Sequence, residues 1–181
     1  MASLLDMVQQ HLGPTEVNQI SQQLGVDPSQ AQSAISTALP MIVGGMASHA
    51  SQPGGAEQIH QSLASHQGLL GNLGGLLGSG GAADGGGLLG KVLGQHQAPV
   101  QQGVAQASGL DPQKAGKLLL MLAPIVMGVL ARKQAASQSN PAQVTDELKR
   151  ESQTAQQQAR SQAPHLGGLL GQIFRGAVPG A

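Results

Sequence analysis

Displaced by 84 residues, this chain of 181 superimposes on itself without a gap over two long stretches. Leu4, Leu5 and Val8 fall on Leu88, Leu89 and Val92, and Ile20 falls on Val104. Gly25-Val26-Asp27-Pro28 and Ala31 fall on Gly109-Leu110-Asp111-Pro112 and Ala115. Pro40-Met41-Ile42-Val43-Gly44 and Ala47 fall on Pro124-Ile125-Val126-Met127-Gly128 and Ala131. Internal similarity at a fixed displacement marks a duplicated structural unit, and what recurs in both copies reports what the unit physically needs. The expected fold class is all-α, with two tandem three-helix units, a Gly/Leu-rich connector and a polar C-terminal helix.

Each copy reads as three helical pieces. The first is short, Leu4 to Leu12 and Leu88 to Leu93. The second is polar and amphipathic, Glu16 to Leu24 and Val100 to Ser108, and is stopped by Gly25 or Gly109. A glycine just past a helix takes the left-handed closing conformation without steric cost. Asp27-Pro28 and Asp111-Pro112 open the third piece. An aspartate there accepts hydrogen bonds from the free N–H groups of the first turn, and a proline at the first helical position forfeits none. In the first copy Ala31, Ala34, Ile35, Ala38, Leu39, Ile42 and Met46 share one helical face. In the second, Leu118 to Leu130 is apolar all round, which predicts burial. Pro40 and Pro124 fall inside these third pieces, where a proline costs about 3 kcal/mol; a kink or a division into two helices is expected at each. The small residues behind them, Gly44, Gly45 and Ala47, then Gly128 and Ala131, allow another helix to approach closely.

Between the copies, Gly68 to Gly90 holds 11 glycines in 23 residues, with leucine pairs at Leu69-Leu70, Leu76-Leu77 and Leu88-Leu89. Leu69, Leu73 and Leu76 share a helical face, but each glycine costs roughly 1 kcal/mol against alanine, so such a helix forms only when packed. Ser79 to Gly87 reads as flexible linker. The same leucine grammar returns at Leu169-Leu170-Gly171-Gln172-Ile173-Phe174, a spare docking element for a groove of its own chain or of a neighbour. From Asn140-Pro141 to about Gln162 the chain is polar and helix-prone, with a narrow apolar stripe of Val144, Leu148, Ala155 and Ala159. Such a stripe predicts a solvated helix or a disordered tail, or else a weak partner helix. The expected organisation is residues 1–67 for repeat one, 68–87 for the connector, 88–135 for repeat two, and 136–181 for the polar helix and docking segment.

Composition narrows the function. Leu, Ile, Val and Phe make 42 of the 181 residues, about 23%, just above the roughly 20% below which a chain stays disordered. A thin core is therefore expected. Cysteine, tyrosine and tryptophan are absent and Phe174 is the single aromatic residue, which excludes disulfides and thiolate chemistry and leaves almost nothing for bases to stack on. Residues 1–90 carry five acids and no Lys or Arg, and residues 91–181 carry nine bases and four acids. Opposite halves that sum to zero argue against a general polyanion binder and leave two readings open: attraction between the halves or between neighbouring chains, and a dilute surface whose charges happen to segregate. The start carries Asp6 and lacks a basic segment, so no export signal is expected. The longest apolar run, Leu118 to Ala131, has 14 residues, a length that suits a buried helix rather than a span.

Candidate chemistry is sparse. Gly85-Gly86-Gly87-Leu88-Leu89-Gly90-Lys91 fits the first seven positions of the phosphate-binding loop, but Val92 stands where a magnesium-binding Ser or Thr is required, and no strand precedes the glycines. The six histidines lack metal spacing, and Glu57-x-x-His60 is one copy of a motif that di-iron bundles need twice. Ile20 to Ala34 has the layout of a helix-turn-helix, yet its would-be recognition helix offers Ser29, Gln30, Gln32 and Ser33 and no base, while phosphate contacts supply most DNA affinity. No catalytic, metal or cofactor-binding residue is assigned.

The repeated Gly-Val-Asp-Pro and Ala-Leu-Pro-Met-Ile-Val-Gly segments, with the Leu/Gly-rich middle and the run Ala123-Pro124-Ile125-Val126-Met127-Gly128, resemble a widespread bacterial domain family of unknown function that is distantly similar to the YidB-like proteins. The resemblance covers about residues 1–133. It implies a cytoplasmic, all-helical bacterial protein with no established activity and no residues to carry over.

The expectation is a non-catalytic, cytoplasmic protein that self-associates or scaffolds through helix–helix contacts, a homo-oligomer without a transmembrane segment. Its contact residues are Leu69, Leu73, Leu76, Leu118, Leu122, Ile125, Val129, Leu169, Leu170, Ile173 and Phe174, and its structural residues are Gly25, Asp27, Pro28, Pro40, Gly109, Asp111, Pro112 and Pro124. The alternative is a helix-turn-helix DNA-binding or regulatory protein.

Overall fold

The computed structural model describes residues 3–65, 68, 71, 75, 82–137 and 140–162, with the backbone alone for 82–85, 155, 156 and 158–162. All secondary structure among the described residues is helical. α1 is Leu4–His11, α2 Pro14–Leu24, α3 Pro28–Ala50, α4 Gly55–Ser65, α5 Ala82–Leu93, α6 Gln97–Ser108, α7 Pro112–Ser137 and α8 Pro141–Gln162, with a 3₁₀ turn at Gly94–His96. α1 begins in a capping box, Ser3 and Asp6 each bonding the other's backbone N–H. Gly25 and Gly109 close α2 and α6 at φ 62° and 70°, the left-handed conformation read from the sequence. Pro28 and Pro112 are the first residues of α3 and α7. Asp27 is the N-cap of α3 but makes no side-chain cap bond, so its carboxylate does not carry out the expected role. The Asp27 and Asp111 carbonyls instead accept the N–H groups of Ala31 and Ala115 at 2.9 and 2.8 Å.

Of the kink or division expected at each interior proline, the division does not occur, and the linker reading of Ser79 to Gly87 fails from Ala82 onward; one reason covers both. α3 and α7 run through Pro40 and Pro124 as single helices rather than dividing there. α5 starts at Ala82, inside the stretch that reads as linker. In each case burial outweighs local propensity. Every residue from Met41 to Ala50 and from Met121 to Ala131 is buried, and at about 25 cal/mol per Å² of apolar surface such segments offset the ~3 kcal/mol of one interior proline. α5 carries Gly85, Gly86 and Gly87, and it is held at its far end by buried Leu88, Leu89, Val92 and Leu93 packed on α7 and α3.

α4 is not anticipated by three pieces per copy. It turns Ile59 and Leu63 inward. α8, for which a solvated helix, a disordered tail and a weak partner helix are all open on sequence, is docked: Val144 and Leu148 are 1% and 0% exposed, and it lies along α3, α4 and the start of α1. One contiguous apolar cluster runs from Leu4 to Leu148. α3 and α7 lie at its centre, α2 and α6 flank α3, and α1, α5 and α6 pack on α7. The glycines behind Pro40 do permit close approach. A β-carbon on Gly45 would lie 2.6 Å from Leu93 Cδ2 and 3.1 Å from Val100 Cγ2, so α5 and α6 reach α3 there because nothing projects.

Candidate functional site

The two Gly-x-Asp-Pro corners meet. An open cleft of about 630 Å³ is lined by Gly25, Val26, Asp27 and Pro28 from the α2–α3 corner and by Gly109, Leu110 and Asp111 from the α6–α7 corner. Asn18, Ser21, Gln22, Gln30 and Lys114 complete its wall. Lys114 Nζ donates to the Gly25 carbonyl at 3.3 Å, placing a cation at the C-terminal end of α2, where the helix dipole favours it. Across the base of the second corner, Gln101 Nε2 donates to the Pro112 carbonyl at 2.8 Å. The cleft thus offers two exposed carboxylates, side-chain amides and one engaged ammonium, the chemistry of a hydrogen-bonding surface. Of the twelve residues in this wall, Gly25, Asp27, Pro28, Gly109 and Asp111 are structural positions legible in the sequence; that they share one cleft is not.

The expected contact residues divide. Leu118, Leu122 and Ile125 are 0% exposed and Val129 is 2% exposed, so they hold the chain's own core. Leu69, Leu73, Leu76, Leu169, Leu170, Ile173 and Phe174 lie outside the described residues. The stretch Gly85 to Lys91 is helical within α5, which removes the loop that phosphate binding needs. No group of three His, Asp or Glu able to hold a metal ion occurs among the described residues. At the helix-turn-helix-like corner, Ser29, Gln30, Gln32 and Ser33 are exposed as a recognition helix would require, and the cation beside them is Lys114, occupied on Gly25. α7 is long and apolar enough to cross a membrane by length and composition, contrary to the shorter run read from the sequence; 78% of its most apolar window is buried inside this fold.

Two polar clusters inside the fold escaped the sequence reading. Where α3 ends, His49 and His96 are 8% and 7% exposed. His96 Nε2 lies 3.3 Å from Gln52 Nε2, while neither ring nitrogen of His49 has a hydrogen-bond partner among the described residues. Burial first, and then the neighbouring His49, hold the His96 pKa below the usual 6.5. A folded-state pKa below the unfolded one means that the unfolded chain binds more protons on acidification. Stability linked to His96 is full above about pH 6.5 and declines as the pH falls toward its folded pKa. Thermal unfolding followed by circular dichroism is expected to show a midpoint that drops on crossing that pH downward, and His96→Gln is expected to flatten the drop; an equal drop in the variant refutes the assignment.

The second cluster ties three elements together. Glu151 Oε1 accepts the Leu4 N–H at 2.9 Å and Lys133 Nζ at 3.3 Å, and Lys133 also pairs with Glu147 at 2.5 Å. Burial disfavours the charge on Lys133, but the hydrogen bond and charge of Glu147, with Glu151 behind them, outweigh it and raise its pKa above the usual 10.5. Glu151 is 8% exposed and supplies the α1 N-terminus with a bond that the local capping box leaves unmade.

Residues 6–133 match a family described as bacterial protein of unknown function, DUF937. The chain belongs to this family. The family region spans α1 to most of α7, both corners and the cleft, and it stops before α8. Neither a curated protein nor a solved structure matches the chain.

Proposed function

We propose that this member of the family is a non-catalytic, cytoplasmic bacterial scaffold, built from two repeated helical units, that self-associates through leucine-pair docking elements. One observation carries the reading. In both places where the element is described, its apolar positions are driven into the core: Leu4, Leu5 and Val8 are 0%, 6% and 0% exposed, and Leu88, Leu89 and Val92 are 4%, 1% and 0% exposed. The chain holds the same pattern again at Leu169-Leu170 and Ile173, beyond the family region and after α8. A segment that buries three large apolar side chains gains about 1.5–3 kcal/mol for each, enough to seat it in a matching groove of a second copy. Helices that start at Pro28 and Pro112 and close at Gly25 and Gly109 support the two-unit reading.

Light scattering with refractive-index detection tests this, since a chain without Trp or Tyr barely absorbs at 280 nm. The expected result is a mass above 18.2 kDa that climbs with concentration, and a return toward the monomer on the double change Leu169→Asp and Ile173→Asp. A mass that the double change leaves as it was defeats the docking element. A mass that rises only with added duplex DNA favours the helix-turn-helix alternative, whose support is the exposed polar start of α3.

A further inference from the structure

α8 follows α7 in the chain but does not pack along it. Its buried residues Val144, Leu148, Glu151 and Ser152 fall on one helical face that rests on α3, α4 and the start of α1, all from the first half of the chain. α4, which follows α3, packs in turn on α5 and α7 of the second half as well as on α8. The helix after each long central helix therefore reaches across to the other half. That is the arrangement in which one copy of a unit completes another, here with both copies joined in a single chain. α8 also folds from its own start. Asn140 Oδ1 accepts the Gln143 N–H and Gln143 Oε1 accepts the Asn140 N–H, both at 2.9 Å, a reciprocal cap that needs nothing from the body.

We propose that the groove of α3, α4 and α1 that holds α8 is the docking site for α8 of a second copy, so that the protein self-associates by exchanging this helix. The proposal rests on the self-association reading and names its surface and partner. Charge complementarity argues for the second copy as occupant. Lys133 and the Leu4 N–H stay with the body while Glu147 and Glu151 travel with α8, so each copy carries the counterpart of the other's contacts and an exchanged pair remakes them all. Because closed and exchanged forms share the same contacts, protein concentration sets the balance between them.

The test joins the ion pair covalently. Heavy-nitrogen-labelled and unlabelled full-length chains are mixed in equal amounts, equilibrated through high salt, returned to low salt and treated with a carbodiimide, which turns a Lys–Glu contact into an amide with loss of water. Monomer and oligomer fractions are then separated, digested and weighed. In the oligomer fraction about half of the Lys133–Glu147 links are expected to pair a labelled with an unlabelled chain, and in the monomer fraction none. An oligomer whose links all stay within one chain overturns the exchange and leaves self-association standing; an absence of oligomer at every concentration overturns both. A charge swap gives a second reading that does not depend on cross-linking. Lys133→Glu and Glu147→Lys each set like charges against one another within a chain, and only exchange restores both pairs, so the mixture is expected to dimerise several-fold more than either variant alone. Equal dimerisation in all three solutions also overturns the exchange.

Discussion

Gly94→Ala is expected to cost about 2–5 kcal/mol of stability, measured by urea unfolding followed in the far-ultraviolet. Two penalties act at the same atom. Gly94 has φ 52°, where an L-residue pays about 1–2 kcal/mol. Its β-carbon would also stand 2.6 Å from His49 Nδ1 and 2.8 Å from Cε1, and overpacking of a well-filled site costs about 1–3 kcal/mol more. Gly109 separates the two, because its φ is 70° and nothing lies within 4 Å of an added β-carbon. Gly109→Ala should therefore lose only the backbone share, about 1–2 kcal/mol. Equal losses at the two positions would mean that the His49 ring gives way at no cost. If steric conflict with the ring is real, adding His49→Ala to Gly94→Ala recovers part of the loss, and the coupling between the two changes measures it.

The pairing of Gly94 with His49 shows where sequence reasoning stops. The corner glycines were legible because their requirement is local: a helix ends, the next residue turns left-handed, and Gly25 and Gly109 stand there. The starts at Pro28 and Pro112 were legible on the same grounds. Gly94 sits in a glycine-rich chain where no single glycine is conspicuous, and its need arises from a ring 45 positions away in sequence. The buried histidines were hidden in the same way, since nothing in the spacing of six scattered histidines says that two of them meet. The cleft is a further case. Both Gly-x-Asp-Pro corners were identified individually, but only the packing of α2 and α6 about the central helices brings them to one wall.

Helix boundaries failed where packing overrode propensity. Proline and glycine are strong local signals, and the reading gave them their local weight at Pro40, at Pro124 and along Gly85 to Gly87. Three or so kcal/mol at an interior proline decides the matter in an isolated helix and not in one buried on all sides. α4 escaped because the displacement that aligns the earlier helices fails there. With one further residue of offset, Ile59 and Leu63 of α4 fall on Val144 and Leu148 of α8, and these four are the large apolar side chains that the two helices bury among the described residues. A single inserted position conceals the relation from an ungapped comparison.

Those same side chains make the docking of α8 measurable. Leu148→Ala is expected to destabilise the protein by about 3 kcal/mol, within the 2–5 kcal/mol typical of a leucine truncated in a core. A leucine on a solvated helix loses under about 0.5 kcal/mol in the same change. Leu148 is fully buried although its helix is dominated by Gln, Ser and charged residues, and its mean hydropathy gives no hint of a core position. The energy comes instead from a narrow stripe aimed at a groove that α3 and α4 have already made apolar. Because one contiguous cluster joins Leu148 to Leu4, the loss should appear in the main unfolding transition. A small separate transition at low denaturant would show that α8 leaves first while α1 to α7 stay folded. In that case Lys133→Gln, which removes the ion pairs to Glu147 and Glu151 without touching the apolar stripe, should move the early transition and leave the main one in place.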